Sequence, residues 1–423
     1  MKRLTLLLLC SVITSAFAAP KVITADRMID VENGKLIKNA VVVVDGNRIQ
    51  AAGVQGRITI PEDAERVDLG DATLMPGLMD MHVHLTSDAT KHGYKRLSVS
   101  LPRAAITGVK HAEDTLMAGF TTVRNVGAPG FADVALRDAI NAGDVAGPRM
   151  FVAGPSLGVT GGHCDSNLLP YEYEQYSEGV ADGPWEVRKA VRRNIKYGAT
   201  VIKFCATGGV LSKGTKVGAQ QYTLEEMEAL VAEAHLRGLT VATHAHGTSG
   251  IKDAIRAGVD SVEHVSLLDD EAITLALENG TYFSMDIYVT EYILGEGEKA
   301  GILEESLNKE RIVGKRQREN FEKAVKAGVK MVFGSDAGVY PHGDNGKQFA
   351  RMVKFGMTPI QAIQAATIHP ATLLKQQKTL GSLSEGKFAD MVAVPGNPLE
   401  DMQKMENIRF VMKDGQIVKT LAM

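Results

Sequence analysis

Short apolar runs alternate with longer amphipathic stretches through most of the chain, and their periods separate the two. Apolar runs rich in β-branched residues read as strands, whereas recurrence every three to four positions reads as helix. Strands are predicted at 78–85, 121–126, 149–153, 201–207, 240–246, 261–265, 282–288 and 331–336. Helices fall between them, among others at 109–119, 185–198, 224–238, 251–258 and 318–328, and several close on glycine as helix C-termini do. An Ala-Gly pair leads into the next strand at Ala118-Gly119, Ala257-Gly258 and Ala327-Gly328, so one helix-to-strand turn is reused. Eight β/α units within about 300 residues predict an α/β fold, a (β/α)8 TIM-like barrel. A doubly wound open sheet is the competing architecture and usually has fewer units.

At both ends the period changes to that of strands and tight turns. Val41-Val42-Val43-Val44 and 48–53 flank Asp45-Gly46-Asn47, a hairpin pattern. The C-terminal end repeats the style at 390–394, 408–412 and 416–418, with Lys413-Asp414-Gly415 as a turn. Neither piece makes an adequate core alone, so the two ends are expected to combine into one small β-sandwich. The expected organisation is a leader at 1–18, a β-sandwich domain from 19–75 and 375–423, and the barrel at 76–374.

The leader is read from Met1-Lys2-Arg3, an apolar run over 4–13, and the small-residue site Ala16-Phe17-Ala18. That is the pattern of a secretory signal peptide, and the run is too short to span a bilayer. Cleavage is expected after Ala18, because a cut one residue later would leave Pro20 at the new terminus. Lipid attachment at Cys10 is disfavoured by the leucines before it. The expected location is periplasmic or secreted. Loss of Lys2 and Arg3 takes the formal charge from -3 to -5, which leaves no basic excess for nucleic acid or anionic lipid. A small molecule or peptide is the expected partner, with no nucleic acid and no membrane after cleavage. Cys164 and Cys205 are too few for a disulfide scaffold, and a single bridge between them is left open.

In a barrel of this kind the functional face lies at the C-terminal ends of the strands. His82 and His84, two apart at the end of the first strand, point the same way. His244 closes the fifth strand, His264 lies near the end of the sixth, and Asp336 closes the eighth. Imidazole and carboxylate donors converging on one face suit a divalent transition metal, most simply zinc. Lys203 sits within Val201-Ile202-Lys203-Phe204-Cys205, where an ammonium would be buried beside metal cations at high cost. A deprotonated lysine amine can instead add CO2, giving a carbamate whose oxygens bridge two metals. An ion pair with a carboxylate elsewhere in the chain is the alternative.

This ordered set resembles the amidohydrolase superfamily in its binuclear, carboxylated-lysine form. The resemblance runs the full chain and includes Leu74-Met75-Pro76-Gly77-Leu78-Met79-Asp80-Met81-His82-Val83-His84 and the segment 381–390. Segments 160–165, 282–288 and 334–345 look like the imidazolonepropionase-like branch that contains Xaa-Pro and Xaa-Arg/Lys dipeptidases. Cys164 stands where that branch usually has glycine. The resemblance implies two divalent metal ions, with His82, His84 and Asp336 on one, His244 and His264 on the other, and carboxylated Lys203 between them. It implies a metal-bridging hydroxide, with Asp336 as general base and then acid. Oxyanion donors are expected among His163 in its glycine-rich loop, His246 two residues past His244, and Tyr288, which is as well suited to capping the core. Asp286 is placed on the face of Tyr288, either to meet a cationic substrate group or as a solvated carboxylate. Homo-oligomeric assembly is implied by the family alone.

The expected function is metal-dependent hydrolysis of the amide bond of dipeptides or N-acyl amino acids, as in a dipeptidase or carboxypeptidase. An imidazolonepropionase-like cyclic amidase or deaminase is the alternative on the same barrel. It would not need Lys203, and the His-x-x-Glu usual in such deaminases is replaced by His244-Ala245-His246-Gly247. A non-catalytic binding protein on this barrel would typically have lost metal ligands.

Overall fold

The computed structural model describes residues 19–420, so the expected leader lies outside the described residues. The chain begins with five strands: β1 (Lys21–Asp30), β2 (Lys35–Asp45), β3 (Arg48–Val54), β4 (Glu65–Asp68) and β5 (Ala72–Pro76). Eight short strands follow: β6 (Leu78–Val83), β7 (Phe120–Asn125), β8 (Arg149–Val152), β9 (Val201–Cys205), β10 (Thr240–Ala245), β11 (Ser261–His264), β12 (Tyr282–Ser284) and β13 (Met331–Val332). The chain returns through β14 (Met391–Pro395), β15 (Phe410–Lys413) and β16 (Gln416–Thr420).

Both ends share one eight-stranded sheet in the order β16-β15-β14-β5-β1-β2-β3, with β4 beside β1. The Asp45-Gly46-Asn47 turn joins β2 to β3 in antiparallel register, Asp45 opposite Arg48. Hydrogen bonding thus joins strands from both ends of the chain into one sheet. Its far edge bends back, with Ile49 N donating to Lys387 O at 3.0 Å and Ala389 N to Asn47 O at 2.9 Å. One face carries its own apolar cluster, including Ile23, Val42, Leu74, Met391 and Phe410.

The middle strands are parallel and form two arcs, β6-β7-β8 and β9 to β13. Hydrogen bonds span both gaps between the arcs. On one side Leu157 N donates to Lys203 O at 2.8 Å and Cys205 N to Leu157 O at 2.9 Å. On the other, Met81 N reaches Phe333 O and Asp336 N reaches His82 O, each at 2.8 Å. Helices separate the strands as the sequence pattern requires. Leu224–Leu236, for example, starts with Thr223 Oγ1 accepting from Glu226 N while the Glu226 carboxylate accepts from Thr223 N, a reciprocal cap. The long helix Glu304–Ala327 stops at Gly328, whose φ of 79° suits glycine. Every residue of β6, β7, β9, β10 and β11 is buried. Polar side chains on these strands are therefore cut off from bulk water and must find partners inside the protein.

Candidate active site

The polar ends of β6, β9, β10 and β11 and the segment after β13 converge on a cavity of about 650 Å³. Six histidine rings meet there. His163 stacks on His244 with centroids 4.1 Å apart, His244 lies 4.5 Å from His264, His246 lies 4.8 Å from His264, and His82 is 5.0 Å from His264 and 5.4 Å from His84. Asp336 Oδ1 lies 3.3 Å from His82 Nε2 and 3.4 Å from His84 Nε2.

Each ring but that of His244 is fixed from behind through Nδ1. His82 Nδ1 faces Glu263 Oε2 at 3.1 Å, His264 Nδ1 faces Asp286 Oδ1 at 2.9 Å, and His84 Nδ1 donates to Gly127 O at 3.2 Å. His246 Nδ1 meets Ser266 Oγ at 2.8 Å, and His163 Nδ1 meets Ser212 Oγ at 2.9 Å. Partners of this type set the tautomer and orientation that a metal-ligating imidazole needs, leaving Nε2 for the cavity. Burial holds His84 at about 4 and His163 at about 3, and it pushes His244 and His246 well below the usual imidazole value, so these rings are neutral at pH 7. His82 differs. Burial and Lys203 push it down, but Asp336 and Glu263 raise it overall.

The backbone here departs from regular strand. His264, Val265 and Asp336 take φ values of 71°, 51° and 57°. A left-handed β-branched residue costs roughly 1–3 kcal/mol and persists where surrounding structure imposes it, often at functional sites. The effect is geometric. Strict alternation would send Glu263 and His264 to opposite faces of the sheet. Ending the strand in this conformation lets both reach the cluster.

Lys203 is almost fully buried, lines the cavity, and makes no ion pair or side-chain hydrogen bond among the described residues. Burial lowers its amine to about 8, although Glu263, Asp336 and Asp286 pull the other way. Burial thus shifts the amine toward its unprotonated form, the one able to react with CO2. Three donor groups have ligand atoms within 4.8 Å of one another: His82 with His84 and Asp336, His244 with His246 and His264, and His264 with Asp286 and Asp336. The buried Nε2 of His244 also has no hydrogen-bond partner among the described residues. Neutral imidazoles, a carboxylate and an unsatisfied donor set fit a divalent metal centre.

Behind His82 lies a buried ion pair that the sequence did not reveal. Arg124 and Glu263 are both fully buried, with Arg124 Nη2 2.8 Å from Glu263 Oε1. Arg124 Nε also donates to Met81 O, and Ser261 Oγ donates to Glu263 Oε1 at 2.7 Å. Burial alone would raise the Glu263 carboxyl, but Arg124 and His82 hold it well below the usual range. Glu263→Gln leaves Arg124 buried without its counter-charge, a change worth about 3–5 kcal/mol. We expect a denaturation midpoint lowered accordingly and metal affinity weakened about 10- to 100-fold through His82. Unchanged stability and metal content would remove this supporting role.

His163 and His246 both line the cavity, whereas Tyr288 does not. The strand expected over 282–288 stops at Ser284, and the chain then turns, with Val289 N donating to Asp286 O at 3.2 Å. Asp286 enters the cavity, while Tyr288 packs edge-on against Tyr340 at 5.0 Å beneath the Arg351 guanidinium. The His163 loop is bonded to the strand that bears Lys203, because Cys164 and Cys205 form a disulfide closing 41 residues of chain. A loop of that length corresponds to about 4 kcal/mol of chain entropy removed from the unfolded state. Gly209 lies directly against the His163 ring, where any Cβ would collide. Sequence reasoning also missed Arg96 and Glu310, both of which line the cavity.

Comparison with known proteins agrees with this geometry. The pattern of the amidohydrolase family matches residues 73–418, and the chain belongs to that family. It is a hydrolytic enzyme by that membership. A crystal structure of a Xaa-Pro dipeptidase with methionine bound in the active site superposes with a TM-score of 0.90 at 41% identity, covering 95% of this chain and 100% of that one. A prolidase complexed with N-methylphosphonate-L-proline gives 0.87 at 32% identity, covering 95% and 100%. Ochratoxinase of Aspergillus niger is 33% identical over 415 residues, covering 92% of this chain and 84% of its own.

Proposed function

We propose that this chain hydrolyses the amide bond of dipeptides or N-acyl amino acids at the histidine-lined cavity, with two divalent ions held around a carboxylated Lys203. The observation that carries the reading is the buried, unpaired Lys203 amine set among the donor groups of His82, His84, Asp336, His244 and His264. Its amine nitrogen would add to the carbon of CO2 and release a proton, turning a buried cation into an anionic ligand. In this reading the two arcs of parallel strands act as one closed (β/α)8 barrel over 76–374, with the shared sheet of 19–75 and 375–423 as a separate domain.

Ions bound there would polarise the scissile carbonyl and acidify a water. Asp336, beside both His82 and His84, takes the proton of that water and returns it to the leaving amine nitrogen. His163 serves as oxyanion donor if the Thr215 hydroxyl donates to Ser212 and Ser212 to its Nδ1, which leaves Nε2–H toward the cavity. The His246 ligand atom lies with those of His244 and His264, so its place is beside the second ion. Arg96 lines the cavity without an ion pair among the described residues, and it is our candidate for the substrate carboxylate. The two solved relatives, one holding methionine and the other a prolyl phosphonate, support a small amino acid derivative as ligand. The disulfide supports an oxidising compartment, in line with a leader at 1–18.

The test is a panel of Xaa-Pro and other dipeptides with N-acyl amino acids, offered to the full chain recovered from the exported fraction. Intact mass reports whether residues 1–18 are gone. Release of free amino acid, abolished by a chelator and restored by metal, is expected. Arg96→Met should raise KM about tenfold or more for substrates with a free carboxylate and change little for their amides. No release from any member of the panel by metal-loaded protein would sink the assignment.

A further inference from the structure

One carboxylate on the cavity wall is used neither by the donor groups nor by the network behind them. Glu310 lies on the helix Glu304–Ala327, one turn past Ser306, and both line the cavity. The same helix is pinned to the cluster two turns further on, where Gln317 Nε2 donates to Asp286 Oδ1 at 2.8 Å and to His264 O at 3.1 Å. Asp286 Oδ1 thereby accepts from both Gln317 and His264. Glu310 is only 4% exposed and makes no ion pair among the described residues. The Thr290 hydroxyl beside it offsets that burial only in part. At Gly314, one turn along, a Cβ would strike both Glu310 Oε1 and Thr290, so the glycine preserves the space in which this carboxylate stands. Burial pushes the Glu310 carboxyl up to about 7, with Asp286 and Asp336 acting in the same direction against Thr290 and Arg318.

A buried carboxylate facing a cavity that also holds Asp286 and Asp336 is costly until a cation arrives. We infer that Glu310 determines specificity by receiving a cationic group of the substrate, either a free α-ammonium on the acyl side or a basic side chain. This rests on the amide-hydrolase reading. The acceptor is preformed on a helix anchored to the cluster, so it discriminates by charge without rearrangement of the site.

Glu310→Gln keeps size and removes charge. The metal-loaded full chain is assayed on Leu-Leu, N-acetyl-Leu-Leu and N-acetyl-Leu-Lys. In the variant, kcat/KM should fall at least about tenfold, mainly through KM, on a probe carrying the recognised cation, and stay within about twofold on N-acetyl-Leu-Leu. A loss confined to Leu-Leu assigns the α-ammonium, and one confined to N-acetyl-Leu-Lys assigns the side chain. Equal losses on all three probes, no loss on any, or departure of a metal ion from the variant would each overturn the inference. Glu310→Asp should keep the charge preference with weaker KM. If wild type cleaves none of these three probes, the hydrolytic reading is decided by the wider panel of Xaa-Pro dipeptides and N-acyl amino acids. Glu310 is then judged by calorimetry with leucinamide, N-acetyl-lysinamide and N-acetyl-leucinamide. Preference for a cationic amide that Glu310→Gln abolishes upholds the inference, and equal binding overturns it.

Discussion

Lys203→Ala is expected to lose both metal occupancy and turnover. Wild type should carry about two ions per chain and the variant fewer than one, with activity lower by about three orders of magnitude or more. The physical reason lies in what the side chain lacks. Lys203 is buried among histidines and carboxylates, has no counter-ion within ion-pair distance among the described residues, and has its amine lowered to about 8. As an ammonium it would repel the ions that the surrounding donors suit, whereas as a carbamate it would complete their coordination. Metal analysis by mass spectrometry and turnover on the same preparation decide the matter. One ion per chain in wild type, with activity undiminished in the variant, would end the binuclear reading. The substitution removes a buried charge that has no partner to strand, so folding should survive it better than Glu263→Gln does.

Asp336→Asn should separate proton transfer from metal binding. Burial raises the Asp336 carboxyl, but His82 and His84 outweigh that effect and hold it below the usual carboxylate range, so it is an anion at neutral pH. Asparagine has the same shape, tolerates the left-handed φ of 57° at this position, and cannot carry the proton. The remaining donors should retain most of the metal while turnover falls about 10²- to 10⁴-fold. An Asn variant with near wild-type kcat would contradict the assignment of Asp336 as proton carrier.

Strand positions were largely legible because burial imposes a simple period. The run expected at 201–207 is found at Val201–Cys205, and that at 240–246 at Thr240–Ala245. Strand ends were less legible where the backbone leaves the sheet to aim side chains. The run expected at 331–336 ends at Val332, and the residues beyond it carry Asp336 into the cavity with a left-handed backbone. Tyr288 was placed with Asp286 by alternation, yet alternation stops at Ser284, so only Asp286 reaches the cavity. Glu310 gave no signal at all, since an acid on a long amphipathic helix reads as solvated until the helix is packed.

What the sequence determined by itself was the order of elements and the polar residues closing buried strands, because period and burial are local properties. The partners of those residues are not local. Lys203 and Arg124 are alike in one respect, each a cation inside a fully buried strand. Tertiary structure gives Arg124 the carboxylate of Glu263, 139 residues away, and gives Lys203 none. It likewise joins Cys164 to Cys205 and brings His82 of β6 to Asp336 after β13. Pairing depends on which strands become neighbours, and that is settled only when the whole core packs.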